Sequence, residues 1–316
     1  MTAILADFKE GDEVIAPSYT FVSTINAFVL RGAKPVFCDV EKETMNIDAD
    51  KIEELITPRT KAIYPVHYAG VICDMDKINA IAKKHNLLVI EDAAQAVGSV
   101  YKGKYPAGTI GDMGCFSFHE TKNYVMGEGG AIIVKDKELF EKAEIIREKG
   151  TDRSQFIRGE VDKYTWRMVG SSFLPSDILA AMLYGQMERF DEIMAARMKV
   201  WDRYYEAFEK MEKAGKLIRP FIPDYSTHNA HMFYIFLPTR EIRDNMILKL
   251  REKGVQSVFH YIPLHNSPMG KSLGCDGANL PVTDEYAGRI LRLPMYADLT
   301  ETDVEQVINS VEECLR

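Results

Sequence analysis

DMDKINAIAKKHNLLVIEDAAQAVG (residues 74–98) changes its hydrophobic period once, and that change decides the fold. Through 74–86 the apolar residues Ile78, Ile81 and Ala82 fall on one face at helical spacing, so an amphipathic helix is expected. Leu87 to Ile90 is then an unbroken apolar run, short enough for a strand buried on both faces. It stops at two carboxylates, Glu91 and Asp92. Similar pieces lie on either side. DEVIAP (12–17), KPVFCDV (34–40), KAIYPVH (61–67) and AIIVKD (131–136) read as buried strands, with STINAFVLRG (23–32) and ADKIEELI (49–56) as helices between them. This alternation predicts an α/β fold with a mainly parallel sheet covered by helices. Ligands of such sheets bind beyond the carboxyl ends of strands, where His67, Glu91 and Asp92 stand.

Residues 175–215 carry good helix formers and few breakers, with Pro175, Ser176 and Asp177 suited to a helix start. The pattern then changes to HMFYIFLP (231–238, strand), REIRDNMILKLREKG (240–254, helix), VQSVFHYIP (255–263, strand), RLPM (292–295, strand) and TETDVEQVINSVEECLR (300–316, helix). The expectation is a large domain over 1–214 and a smaller α+β domain over 215–316. With 46% hydrophobic and 27% charged residues, a packed core is expected rather than disorder. A net charge of −8 without a long basic run argues against nucleic acid as a partner. The five cysteines are scattered, with no C-x-x-C pair, so reduced thiols are expected and no metal site. No window approaches a membrane span of about 18 apolar residues, and no secretory leader is apparent; a soluble cytoplasmic protein is expected.

The chemistry concentrates at two strand ends. Asp92, directly after the apolar run, could face a cationic nitrogen, with Gln95 presenting an amide to the same ligand; an Asp here could equally cap a following helix. In CFSFHETKNYVMGEGG (115–130), a strand over 115–119 would turn Ser117 and His119 away from Phe116 and Phe118. Lys122 follows the strand end, and Gly127, Gly129 and Gly130 permit close backbone approach. A single lysine is usually a solvated charge. Here Asp92, Gln95, Ser117 and Lys122 fall on successive strand ends, which points to one ligand.

EDAAQ (91–95), SFHETKN (117–123) and GEGGA (127–131) resemble the DegT/DnrJ/EryC1/StrS family of sugar aminotransferases, and the resemblance covers essentially the whole chain. It implies the fold type I scaffold of pyridoxal 5′-phosphate (PLP) transferases: a large domain with a mostly parallel seven-stranded sheet and a smaller C-terminal α+β domain. The segments SFHETKNY (117–124), VGSSF (169–173) and FHYIPLH (259–265) look most like the branch acting on dTDP-4-keto-6-deoxy-D-glucose, which makes the 4-amino sugar for cell-surface glycans such as lipopolysaccharide. The resemblance implies that Lys122 joins PLP through an imine and moves the substrate proton. It implies that Asp92 pairs with the pyridine nitrogen, Gln95 with the phenolic oxygen and Ser117 with the phosphate, while Phe21 stacks on the ring. His260, Tyr261 and His265 would approach the nucleotide sugar, although both histidines could instead be solvent-facing. Glutamate is the implied amine donor, its carboxylate receptor being one of Arg147, Arg153, Arg158 or Arg167. Homodimers with sites at the subunit interface are implied. Family members with histidine in place of Lys122 are dehydratases, so lysine favours amine transfer.

Two departures stand out. Ser172 occupies a place where much of the family has an Asn that reaches the neighbouring subunit's PLP phosphate, and Leu174 stands where an Arg is usual. The chain also opens at MTAILADFKEGDEVI, at what resembles the last turns of a helix whose start cradles that phosphate. The expectations are therefore an aminotransferase lacking its N-terminal segment or, in the alternative, a catalytically silent remnant or regulatory subunit.

Overall fold

The computed structural model describes residues 1–316. Ten strands run β1 (Glu13–Pro17), β2 (Lys34–Cys38), β3 (Thr60–Ile63), β4 (Leu88–Asp92), β5 (Val100–Tyr101), β6 (Tyr105–Pro106), β7 (Met113–Ser117), β8 (Gly130–Val134), β9 (Phe233–Phe236) and β10 (Ile290–Leu293). Six form the main sheet in the order β2-β1-β3-β4-β7-β8. Every neighbouring pair is parallel except β7 with β8. The sheet thus has six strands where the family resemblance implies seven.

Alternation along the strands packs an apolar layer on each face of the sheet, and the two layers make up the first core. Val14, Ala16, Ala62, Tyr64 and Ile90 enter one with Phe8, Phe28 and Ile146. Ile15, Ile63 and Val89 enter the other with Ile52, Ile78 and Ala82. The helix expected over 74–86 spans Met75–His85; the Asp74 carboxylate accepts from the Lys77 N–H at 3.2 Å, and Asn86 ends it in the left-handed region at φ 55°. Ile78 and Ala82 are its buried stripe. The helix expected over 49–56 is instead two 3₁₀ turns, Ala49–Lys51 and Glu53–Leu55. Pro58 keeps Thr57 out of helical geometry and β3 begins at Thr60, which leaves little room for a third turn.

Residues 175–215 divide into helices Asp177–Met187, Phe190–Ala207 and Glu209–Lys213. A second core joins Trp201, Tyr204 and Phe208 of these helices to Phe233, Ile235, Leu250, Leu291, Val304 and Val311, so it draws on residues ahead of 215. Its sheet is the antiparallel pair β9 and β10. The strand expected over 255–263 does not form: only Val258 pairs, with Arg292. Tyr261 at φ 37° and Pro263, which lacks an N–H, end the ladder. The strand expected at 292–295 lies two residues earlier, because Pro294 cannot extend it. No helix is long and apolar enough to cross a membrane.

A polar seam joins the two cores. The Asp39 carboxylate, 2% exposed, accepts from the backbone N–H and hydroxyl of Thr283 at 2.8 Å each and from Lys51 at 3.0 Å. Burial pushes its pKa up, but the Thr283 donors and Lys51 outweigh that and hold it below the usual carboxylate value. Ser18, just after β1, takes the backbone N–H of His265 at 3.1 Å and bonds its Nδ1 at 2.7 Å.

Candidate active site

The carboxyl ends of β1, β3, β4 and β7 open into a cavity of about 620 Å³, closed from the other side by His231, His260, Tyr261 and Arg292. Phe21, Asp92, Gln95, Ser117 and Lys122 all line it. Five residues marked in the sequence across about 100 positions therefore meet at one place.

Asp92 ends β4, and 93–98 is a series of turns, so the helix-capping alternative is excluded. Its Oδ2 accepts from the Thr24 hydroxyl at 2.6 Å and its Oδ1 from the Ala94 N–H at 3.1 Å. Strand alternation sends Glu91 the other way, to 0% exposure. There its carboxylate accepts from the N–H groups of Gly108 (2.8 Å), Ile110 (2.6 Å) and Gly111 (2.6 Å). His67 completes the set: Nδ1 accepts from the Cys73 N–H, so Nε2 carries the proton and donates to Glu91 at 2.8 Å. Burial raises the Glu91 pKa, and His67 with the backbone donors brings it below the usual value. Of the two carboxylates that end the strand, one anchors the sheet edge and the other faces the cavity.

Gln95 is buried. Its Oε1 accepts from the Ala69 N–H at 2.7 Å and its Nε2 donates to the Tyr261 hydroxyl at 2.9 Å. Phe21 stands at the rim, 56% exposed, with its ring 6.2 Å from that of Tyr261. Ser117 is the last residue of β7, and its hydroxyl accepts from the His119 N–H at 3.3 Å.

Lys122 lies in the β7–β8 loop, which is tightly held. Tyr124 stacks on Phe190 with centroids 4.6 Å apart, and Val125 exchanges hydrogen bonds with the Gln186 amide. Asn123 donates to the Asn229 carbonyl at 2.7 Å and bonds His231 Nδ1 at 2.9 Å. The half-buried Lys122 ammonium has neither an ion-pair nor a hydrogen-bond partner in the protein. Burial holds its pKa below the ordinary lysine value; the Asp92 carboxylate pulls upward and the Arg292 charge adds to the depression. The depression favours the neutral amine, the state a nucleophile needs, relative to an exposed lysine. His231 and His260 are kept neutral, burial driving both well below the ordinary value, with Lys122 and Arg292 contributing.

Other expected residues fall differently. His260, 8% exposed, bonds the Tyr68 hydroxyl through Nδ1 at 2.7 Å, so it lines the cavity and is not solvent-facing. His265 is 1% exposed and lies outside the cavity; its bond to Ser18 occupies it with holding the turn between β1 and Phe21. Ser172 is exposed and pairs through its backbone with Glu148, away from this chain's cavity. None of the four arginines expected to receive a carboxylate lines the cavity. Arg153 pairs with Glu148, Arg158 with Glu144 and Glu160, and Arg167 with Asp152, while Arg147 lies in a groove beside β8. Arg292 is there instead. Its segment, RLPM, read only as a strand, and strand patterning does not say which face meets another unit.

These residues fit PLP: an unpaired amine able to bind an aldehyde, a carboxylate for a cationic ring nitrogen, an amide, a hydroxyl and a rim aromatic, all in one cavity. The profile of the "DegT/DnrJ/EryC1/StrS aminotransferase family" matches residues 1–312. The chain is 39% identical to the GDP-perosamine synthase of Caulobacter vibrioides, over 96% of this chain and 80% of that protein. It is 36% identical to the spore coat polysaccharide biosynthesis protein SpsC of Bacillus subtilis, over 97% of this chain and 80% of that protein. Among solved structures, Spr1654 of Streptococcus pneumoniae in its PLP form superposes with a TM-score of 0.88 at 27% identity, over 99% of this chain and 82% of that one. The chain is a member of the DegT/DnrJ/EryC1/StrS aminotransferase family, PLP-dependent enzymes that act on sugars.

Proposed function

We propose that this chain transfers the amino group of glutamate to C4 of a nucleotide-linked 4-keto-6-deoxy sugar, dTDP-4-keto-6-deoxy-D-glucose, for cell-surface glycan synthesis. The observation that carries the reading is Lys122: half-buried, without a charge partner, depressed in pKa, and in one cavity with Asp92. When bound, PLP supplies the electron sink that lets a carbon beside an amine give up a proton. In this reading Lys122 would hold the cofactor and would move that proton. Asp92 would pair with the ring nitrogen, and its bonds from Thr24 and Ala94 hold it oriented. Gln95 and Ser117 would serve the phenolic oxygen and the phosphate, and Phe21 would cover the ring. His260 and Tyr261 face the sugar.

The working unit in this reading is a cytoplasmic homodimer. Phe156, Ile157, Trp166, Ile178 and Tyr184, on either side of Ser172 in the sequence, are all exposed, as residues of a subunit interface are in a single chain. Burying them against a second copy would bring Ser172 to the partner's phosphate. The five free thiols suit a reducing compartment.

The test is reduction by borohydride after incubation with PLP, followed by peptide mapping. A reduced adduct on Lys122 supports the reading; a folded chain that gives none favours the silent-subunit alternative. Assays with glutamate and either dTDP- or GDP-linked 4-keto-6-deoxy sugars then decide the nucleotide, and turnover of the GDP sugar alone would overturn the dTDP assignment.

A further inference from the structure

Arg292 is the middle of three parts of backbone held edge to edge. It pairs with Tyr234 of β9 on one side and with Val258 on the other, its N–H and carbonyl both bonded to Val258 at 2.8 and 3.2 Å. Leu291 and Leu293 alternate into the second core, so Arg292 is turned toward the seam and lines the cavity. No carboxylate lies within 4 Å of its guanidinium, and its Nε is buried without a hydrogen-bond partner. Buried unpaired polar atoms are uncommon, and one that faces a cavity is placed to meet a water, an ion or a ligand there.

The charges around it sharpen the point. The cavity holds two cationic side chains, Lys122 and Arg292, and two carboxylates, Asp92 and Glu128. Asp92 is engaged by Thr24 and Ala94, while the Glu128 side chain is 85% exposed at the rim beside His119. His231 and His260 are neutral. The guanidinium is therefore free for an anion brought from outside, and its planar fork matches a carboxylate.

We infer that Arg292 receives the α-carboxylate of the amino donor, an inference that rests on the amino-transfer reading of this cavity. The competing anion is the diphosphate of a nucleotide sugar. The two differ in where they place charge. In an α-amino acid the carboxylate is bonded to the same carbon as the reacting amine, so its receptor must stand near Lys122. In a 4-keto sugar nucleotide the diphosphate hangs from C1, across the ring from the reacting C4. Arg292 lines the same cavity of about 620 Å³ as Lys122, which favours the carboxylate.

The experiment measures the affinity of the whole chain for 2-oxoglutarate and, separately, dTDP by calorimetry, with and without PLP, for wild type, R292Q and R292K. Loss of a charge-assisted, two-pronged contact weakens binding about 10- to 100-fold. The expected result is that loss for 2-oxoglutarate in R292Q, a smaller one in R292K, and dTDP affinity unchanged. Because the Arg292 side chain makes no ion pair or hydrogen bond in the protein, its variants are also expected to melt no earlier than wild type; an earlier melt in both variants would make it a structural residue. Unchanged 2-oxoglutarate affinity, its absence in wild type, or weakened dTDP binding alone would overturn the inference. A wild-type chain that fails to take PLP onto Lys122 but still loses 2-oxoglutarate binding in R292Q would refute the proposed function and leave the receptor standing.

Discussion

Glu91→Gln probes the anchor beneath the site. One carboxylate oxygen accepts from Ile110 and Gly111, and the other from Gly108 and His67. A glutamine must put its NH₂ on one side or the other, so in either orientation two donors face a donor. With each buried unsatisfied group costing about 1–3 kcal/mol, the loss is about 2–6 kcal/mol, a large share of a typical stability of about 5–15 kcal/mol. Flipping the amide offers no relief, since every lone pair of the carboxylate is in use. Urea unfolding followed by circular dichroism reads the loss as a lower midpoint at an unchanged slope. An exposed control, Glu10→Gln, should move by no more than about 0.5 kcal/mol. The pH dependence carries a sign as well. The folded pKa of Glu91 lies below its unfolded value, so its contribution is present above the unfolded pKa and fades as pH falls through the folded one. The wild type should therefore lose more stability than Glu91→Gln on acidification below the ordinary glutamate range. A variant within about 0.5 kcal/mol of wild type at neutral pH would refute the account of β4's end.

Lys122→Ala should abolish both the borohydride-trapped PLP adduct and turnover, and an alanine variant with normal rates would remove Lys122 from the chemistry. In the PLP-free wild type, amine-specific labelling of Lys122 should begin at lower pH than labelling of exposed lysines, because its pKa is depressed; simultaneous onset would contradict that depression. Asp39→Asn removes the charge that ties Thr283 and Lys51 to the sheet, and should lower stability by about 1–3 kcal/mol at neutral pH. Its effect should vanish in acid as the wild-type carboxyl takes up a proton, its folded pKa being depressed. Ile178→Glu, at a position 82% exposed, should convert a dimer to monomers by light scattering with little change in the melting temperature of the monomer; a monomeric wild type would overturn the dimer.

Phe21, Asp92, Gln95, Ser117 and Lys122, marked in the chain, meet in the cavity and share one property: they sit at the end of a strand or in the loop that follows it. Asp92 was legible because a carboxylate directly after an apolar run has a defined place at a sheet edge, and Lys122 because a run of β character precedes it and glycines follow. Glu91 shows the limit of that logic. It neighbours Asp92 and reads the same, yet the strand's two-residue period turns it under the sheet toward Gly108, Ile110 and Gly111. The VQSVFHYIP segment failed for another reason. Its composition favours a strand, but a positive φ at Tyr261 and a proline at 263 leave one bridge and free His260 and Tyr261 to reach across to Tyr68 and Gln95.

What the sequence by itself determined is the local order: alternating apolar runs and amphipathic segments, the parallel sheet they imply, and the chemistry-bearing residues at its carboxyl edge, all consequences of side-chain periodicity and backbone hydrogen bonding. What only the tertiary structure decided is which residues close the cavity from the far side. Arg292 and His231 come from strands and turns more than 100 residues from Lys122, and His265, which looked like a ligand residue, is used up on Ser18. No periodicity carries that information, because it depends on how two separately packed cores meet across the seam at Asp39, Ser18 and Tyr68.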